Sequence, residues 1–158
     1  MKLRQHPTFA LGFGLVALLV VQDVYGLEIP ALEELQRDGM WKLATGSALV
    51  AFLAFQWALA AIRMRGSSGA GKHLRWHRCV GALGPVLFYA HATKFGYAYL
   101  AALSSVFLGN ILLGAAAPVL QRLRVPWIRL GWPVLHIAAS VLTLVLTAIH
   151  AVVAAYYE

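Results

Sequence analysis

The chain reads as an all-α integral membrane bundle of five crossing helices, and three observations predict it. Apolar residues make up 61% of the 158 positions and charged residues only 12%, with a mean hydropathy of +0.72, values outside the range of soluble globular domains. The apolar residues gather into five runs, each near the roughly 20 residues that a spanning helix needs. Most charged residues fall between or at the edges of those runs, and the acids gather on one predicted side while most of the basic residues fall on the other. A net charge of +7 spread in this way records topology, whereas a nucleic-acid footprint is a basic stripe on one folded surface. One membrane domain over residues 1–158 is expected, with lipid as its surroundings and no nucleic-acid partner.

The first run, Thr8 to Tyr25, follows Met1-Lys2-Leu3-Arg4 and is short enough to resemble a signal peptide. No small-x-small motif precedes the polar segment after it, so it is expected to stay as a helix. Glu28 to Trp41 predicts a short interfacial helix, with Pro30 near its start, Leu32 and Leu35 on one face and Gly39 near its end. It is placed to cap a cofactor or dock a partner, or it is a plain membrane-surface loop. The second run, Leu43 to Ile62, carries Gln56 at depth, and that amide needs a partner on a neighbouring helix or on a quinone carbonyl.

Gly66-Ser67-Ser68-Gly69-Ala70-Gly71 reads as a polar linker without a phosphate-loop pattern. The third run, His77 to Phe95, contains Pro85, which should bend it at its centre. The fourth is Tyr97 to Leu120. The fifth, Leu130 to Tyr157, has Pro133 in its first turn. Merging the third and fourth would leave a stretch from His77 to Leu120 with one crossing, longer than tilting can absorb.

Lys2, Arg4, Arg63, Arg65, Lys72, Arg75, Arg78, Arg122, Arg124 and Arg129 fall on one predicted side, ten of the thirteen basic residues. Arg37, Lys42 and Lys94 fall on the other, with all six acids: Asp23, Glu28, Glu33, Glu34, Asp38 and Glu158. Lysine and arginine are retained in the cytoplasm, so the amino terminus is expected inside and the carboxyl terminus in the periplasm of a bacterial inner membrane.

Against this topology the histidines form a pattern. His77 and His91 are 14 residues apart, and so are His136 and His150. That interval is close to four helical turns, so each pair shares a face with about 21 Å between its members. The third and fifth helices are separated by one crossing and run in the same direction. His77 and His136 are then both inner, and His91 and His150 both outer. Two imidazoles at one depth are the donor set of a bis-histidine haem. Filling both axial positions closes the iron to oxygen or substrate and favours electron transfer. The single cysteine, Cys79, excludes an intramolecular disulfide and any CxxCH attachment, so two haem b groups would be held noncovalently. Cys79 itself reads as a packing residue.

Small residues line the same faces. Gly81 and Ser140 lie one turn beyond His77 and His136, while Gly84 and Thr143 lie midway within each pair, leaving room for a flat macrocycle or for close helix packing. Haem propionates need cations or an exit to water. Arg75, Arg78 and Arg129 are near the inner pair and Lys94 is near His91; of these, Arg78 and Lys94 are the preferred partners. Trp41, Trp76, Trp127, Trp132, Tyr156 and Tyr157 fall at predicted boundaries as interfacial anchors. His73 and His6 have no mate at matching depth and are excluded as ligands.

In pattern, these residues resemble the ferric-reductase-like transmembrane domain shared by ferric reductases, NADPH oxidases and the haem-binding membrane subunit of the methionine sulfoxide reductase system. His77-Arg78-Cys79-Val80-Gly81 is similar to that family's His-Arg-x-x-Gly opening of helix three, followed by His91, and His136 and His150 match its paired histidines on helix five. The resemblance covers roughly residues 70–157. It implies passage of electrons across the membrane through two stacked b haems. Cytochromes b of quinol-oxidising complexes share similar spacing, so the histidines specify dihaem binding more firmly than one family.

Only eight residues follow His150, so the chain is expected to lack the sixth helix and the flavin and nicotinamide domains of the larger members. Electrons would come from a quinol, a reductase subunit or another partner, and pass to a periplasmic redox protein or cofactor, or flow in reverse. Two other functions fit the same residues. One is a quinone-reactive oxidoreductase subunit. The other is a haem-free structural or assembly subunit whose histidines pack between helices.

Overall fold

The computed structural model describes residues 7–65, 70–123 and 125–157. Lys2, Arg4 and His6 in the leading tail, positions 66–69 of the expected linker, the Arg63 side chain, Arg124 and Glu158 lie outside the described residues. Every regular element among the described residues is an α-helix: α1 (Pro7–Tyr25), α2 (Pro30–Arg37), α3 (Gly39–Met64), α4 (Ala70–Gly81), α5 (Gly84–His91), α6 (Tyr99–Leu120) and α7 (Pro126–Tyr157). Four stretches are long and apolar enough to cross a membrane: Pro7–Tyr25, Gly39–Leu59, Tyr99–Leu120 and Pro126–Tyr157.

The third expected helix differs from the single rod over 77–95. It is broken into α4 and α5 and ends at His91. Pro85 is the cause, because it has no N–H to give the Gly81 carbonyl and its ring crowds that oxygen. The backbone tightens instead: the Leu83 N–H donates to the Val80 carbonyl at 3.0 Å and the Val86 N–H to that of Leu83 at 3.0 Å, both three-residue steps. Beyond His91, Gly96 has φ of +75°, and a Cβ there would lie 2.8 Å from the Leu100 Cβ. Only glycine meets both conditions without strain.

The short helix expected after the first run is present as α2, with Pro30 in its first turn. Gly39 does not end it but begins α3. The reason is Asp38, whose Oδ1 accepts the Trp41 N–H at 2.8 Å and so caps the amino end of α3.

The chain folds as two compact units, Met1–Lys94 and Phe95–Glu158. In the first, α3 packs against α2, α4 and α5, and α1 packs against α4 and α5. Gly46 of α3 meets His91, and Gln56 of α3 meets Gly81. Going ten residues along α3 corresponds to going ten residues back from His91 to Gly81. The α4–α5 segment therefore runs antiparallel to α3 and keeps register through the break. Val16, Leu19, Phe52, Leu59, Ala82 and Phe88 are buried in this unit.

The end of α5 is fastened by α2 and the first turn of α3. Its last carbonyls lack helical partners, and side chains supply them: Gln36 Nε2 donates to the Tyr89 carbonyl at 2.8 Å, and Trp41 Nε1 to that of Ala90 at 2.9 Å. Thr93 Oγ1 donates back to Gln36 Oε1 at 3.2 Å.

The second unit is an antiparallel hairpin of α6 and α7. Asn110 Nδ2 donates to Ser140 Oγ at 2.9 Å, Trp132 Nε1 donates to the Leu113 carbonyl at 2.8 Å, and Gly114 meets His136. Phe107, Leu108, Ala117 and Thr143 are buried in this unit, Thr143 being only 1% exposed.

Candidate haem-ligating histidines

His77 lies in α4 and His91 is the last residue of α5; His136 and His150 lie on the unbroken α7. All four are half-buried. The four-turn interval holds for the second pair, since α7 is continuous between them, giving about 21 Å along its axis. For the first pair the interval is interrupted by the Ala82-Leu83 break, although the register along α3 survives it. Among the described residues no three histidine, cysteine, aspartate or glutamate side chains gather as a cluster for a bare metal ion.

His91 has the most informative surroundings. Its Nδ1 lies 3.0 Å from Thr45 Oγ1. That hydroxyl has one proton, which it donates to the Trp41 carbonyl at 2.7 Å, with the Lys42 carbonyl farther off at 3.3 Å. With that proton on the Trp41 carbonyl, Thr45 is able to accept from His91, a pairing that needs the tautomer protonated at Nδ1. A histidine whose Nδ1–H is held by a second residue is the form that metals take at Nε2. Gly46, the next residue, lets the ring approach α3: a Cβ there would lie 3.3 Å from His91 Cε1.

His136 is bounded by a glycine and an aromatic ring. A Cβ on Gly114 would lie 3.3 Å from its Cε1. Trp132, one turn earlier, stacks on it with centroids 5.7 Å apart and planes 8° from parallel, an offset arrangement that restrains the ring. Ser140 Oγ donates to the His136 carbonyl at 2.7 Å, and with Asn110 it braces that turn. His150 Nδ1 is 3.5 Å from Tyr99 Oη, at the outer limit of a hydrogen bond.

The remaining predicted residues divide. Gly81 is packed against Gln56, whose Nε2 would be 3.7 Å from an added Cβ, and both Gln56 amide atoms are buried without a hydrogen-bond partner. Gly84 is buried at the start of α5, and Ser140 and Thr143 use their hydroxyls on α7 carbonyls. Arg78 is half-buried, while Arg75 and Arg129 are exposed. Lys94 is engaged by acids, 2.7 Å from Glu28 Oε1 and 3.7 Å from Glu33 Oε1. The hydrogen bond and charge of Lys94 hold the Glu28 carboxyl below the usual carboxylate range, and Glu28 holds the Lys94 ammonium above its ordinary value.

Thr45, Gly46, Tyr99 and Gly114 escaped the sequence reading. Their helices were legible, but which turn of one faces which histidine of another depends on register between helices. Comparison with family models, curated proteins and solved structures found no match for this chain.

Proposed function

We propose that this chain is a five-crossing membrane cytochrome b that moves electrons across the bilayer, similar in its histidine pattern to the ferric-reductase-like transmembrane domain. Four of the crossings correspond to the long apolar helices, and the α4–α5 segment, antiparallel to α3 through its break, is the fifth. The amino terminus is cytoplasmic and the carboxyl terminus periplasmic, as the distribution of basic residues requires. In this reading His77 and His136 hold the inner haem and His91 and His150 the outer one, a pairing that rests on matched depth in the sequence.

The observation that carries the reading is His91. Its Nδ1 lies 3.0 Å from Thr45 Oγ1, a partner that suits the tautomer with its lone pair on Nε2, and Gly46 leaves the ring space to approach α3. Trp132 and Gly114 restrain His136 in a comparable way. Two b haems, when bound, would supply one-electron transfer. The chain's residues hold the imidazoles in orientation, exclude water with the apolar helices, and offer Arg78, Arg75 and Arg129 to the propionates on the cytoplasmic side, while Lys94 is held by Glu28 and Glu33. A separate donor and acceptor complete the path.

The test is a reduced-minus-oxidised absorption spectrum of the purified protein with haem quantification. Low-spin b-type bands and two haems per chain are expected, with about half of the haem lost in His91→Ala and His150→Ala together. A colourless preparation that stays folded would replace this reading with a haem-free structural or assembly subunit. A second reading, a quinone-reactive subunit, is favoured by one observation, the buried amide of Gln56 without a partner. Haem reduction by a quinol analogue, abolished in Gln56→Leu, would establish it.

A further inference from the structure

A groove of about 620 Å³ runs along one face of α4, lined by Gly71, Lys72, Arg75, Trp76 and Cys79. Positions 72, 75, 76 and 79 recur at the spacing of a single helix face. Its chemistry is graded along the helix axis: two cations occupy the first turns, and an indole and a thiol occupy the next. Lys72, Arg75, Trp76 and Cys79 are all exposed.

The cations of this groove have no acid of their own nearby in the chain, because no Asp or Glu occurs between Asp38 and Glu158. Glu28 and Glu33 meet Lys94, just past the far end of the α4–α5 segment. Among the described residues no carboxylate is paired with Lys72 or Arg75, so both are open to an external anion. A small free anion would satisfy the cations and leave the Trp76 and Cys79 half of the groove uncovered. A phospholipid supplies both parts in the right order, a phosphate at the basic end and glycerol and acyl carbons along the indole. Basic pockets beside membrane helices recognise anionic headgroups on these terms, and an indole at the membrane boundary sits at headgroup level.

We propose that the α4 groove is a binding site for one anionic phospholipid, with Lys72 and Arg75 on its phosphate and Trp76 and Cys79 against its glycerol and upper acyl region. Arg75 is shared with the residues offered to the propionates above, whereas Lys72, Trp76 and Cys79 have no part there, and the readouts below do not use haem.

Cys79 is the only cysteine in the chain, so the groove carries its own reporter. The intact protein is placed in nanodiscs of phosphatidylcholine alone or of phosphatidylcholine with phosphatidylglycerol, and alkylation of Cys79 by an uncharged maleimide is timed. Phosphatidylglycerol is expected to slow alkylation several-fold, and the double variant Lys72→Gln, Arg75→Gln is expected to react at the phosphatidylcholine rate in both discs. Equal wild-type rates in the two discs overturn the proposal. So does slowing that persists in the double variant, which reports surface potential alone, or equal protection by inorganic phosphate or polyglutamate in phosphatidylcholine discs. Native mass spectrometry of the same two proteins gives a readout that does not use Cys79: the wild type retains phosphatidylglycerol in preference to phosphatidylcholine and the variant retains neither preferentially, and the opposite result sinks the site.

Discussion

Thr45 Oγ1 sits 3.0 Å from His91 Nδ1 while giving its own proton to the Trp41 carbonyl. One hydroxyl on α3 thereby favours the tautomer of a histidine on α5 that carries its hydrogen on Nδ1. This tautomer can be read without any cofactor. In protein labelled with ¹⁵N-histidine, the His91 signal should be that of a ring protonated at Nδ1, and Thr45→Val should convert it to a mixture or to the other tautomer. If the protein binds haem, loss of this second partner should weaken retention at the His91 site by about 10- to 100-fold, measured by haem titration. An unchanged tautomer in Thr45→Val would remove Thr45 from the account.

Gly46 and Gly114 each stand where an added Cβ would be 3.3 Å from a histidine Cε1. Alanine at either position requires the ring to give by a few tenths of an ångström. A leucine cannot be accommodated without displacing the ring, at a cost of about 1–3 kcal/mol from overpacking. Gly114→Leu should therefore lower thermal stability and disturb the environment of Trp132, which stacks on His136 and is visible in its fluorescence. Gly46→Leu should instead displace the His91 ring at the end of α5.

Gln56 tests a different question. Its amide is buried with neither atom hydrogen-bonded, and such groups cost about 1–3 kcal/mol each. Gln56→Leu should therefore hold or raise the melting temperature in detergent and leave bound haem unchanged. Loss of quinol-driven reduction in an otherwise intact Gln56→Leu protein would move Gln56 from packing to substrate binding.

The Glu28 and Lys94 clasp is exposed, with side chains 48% and 60% accessible, so its effect on stability is small and weakened by salt. Its pH dependence follows from the two directions of shift. The carboxyl is held low, so its contribution is present above the ordinary carboxylate range and lost as pH falls through the folded value. The ammonium is held high, so its contribution is present at neutral pH and lost as pH rises through the folded value. Between these limits the clasp is intact. Thermal melts of Glu28→Gln and wild type should converge in acid and differ slightly, in low salt, near neutrality.

Much of the helical plan was legible in the chain. The runs ending at Tyr25 and Tyr157 are α1 and α7 within a few residues, because a stretch of apolar residues long enough to span lipid has no other way to satisfy its backbone. The short helix α2 was legible from Pro30, whose fixed φ suits a first turn. The third helix was only half legible. Pro85 predicts a disturbance, but whether it bends or breaks the helix depends on whether the tightened turn at Val80 to Val86 can be packed, and here Ala82, Gly84, Pro85 and Phe88 bury it. Gly39 misled because glycine suits a helix end and a helix start alike, and Asp38 beside it decides the matter by capping α3.

What the sequence determined by itself is which segments are helices, where its cations and acids divide, and that two pairs of histidines recur at one interval, since these depend only on local composition and helical period. The tertiary structure alone decided that Thr45 and Gly46 meet His91, that Gly114 meets His136, and that Lys94 is taken by Glu28. Those contacts join residues far apart in the chain, and they are set by the register in which helices pack, a quantity that no single helix contains.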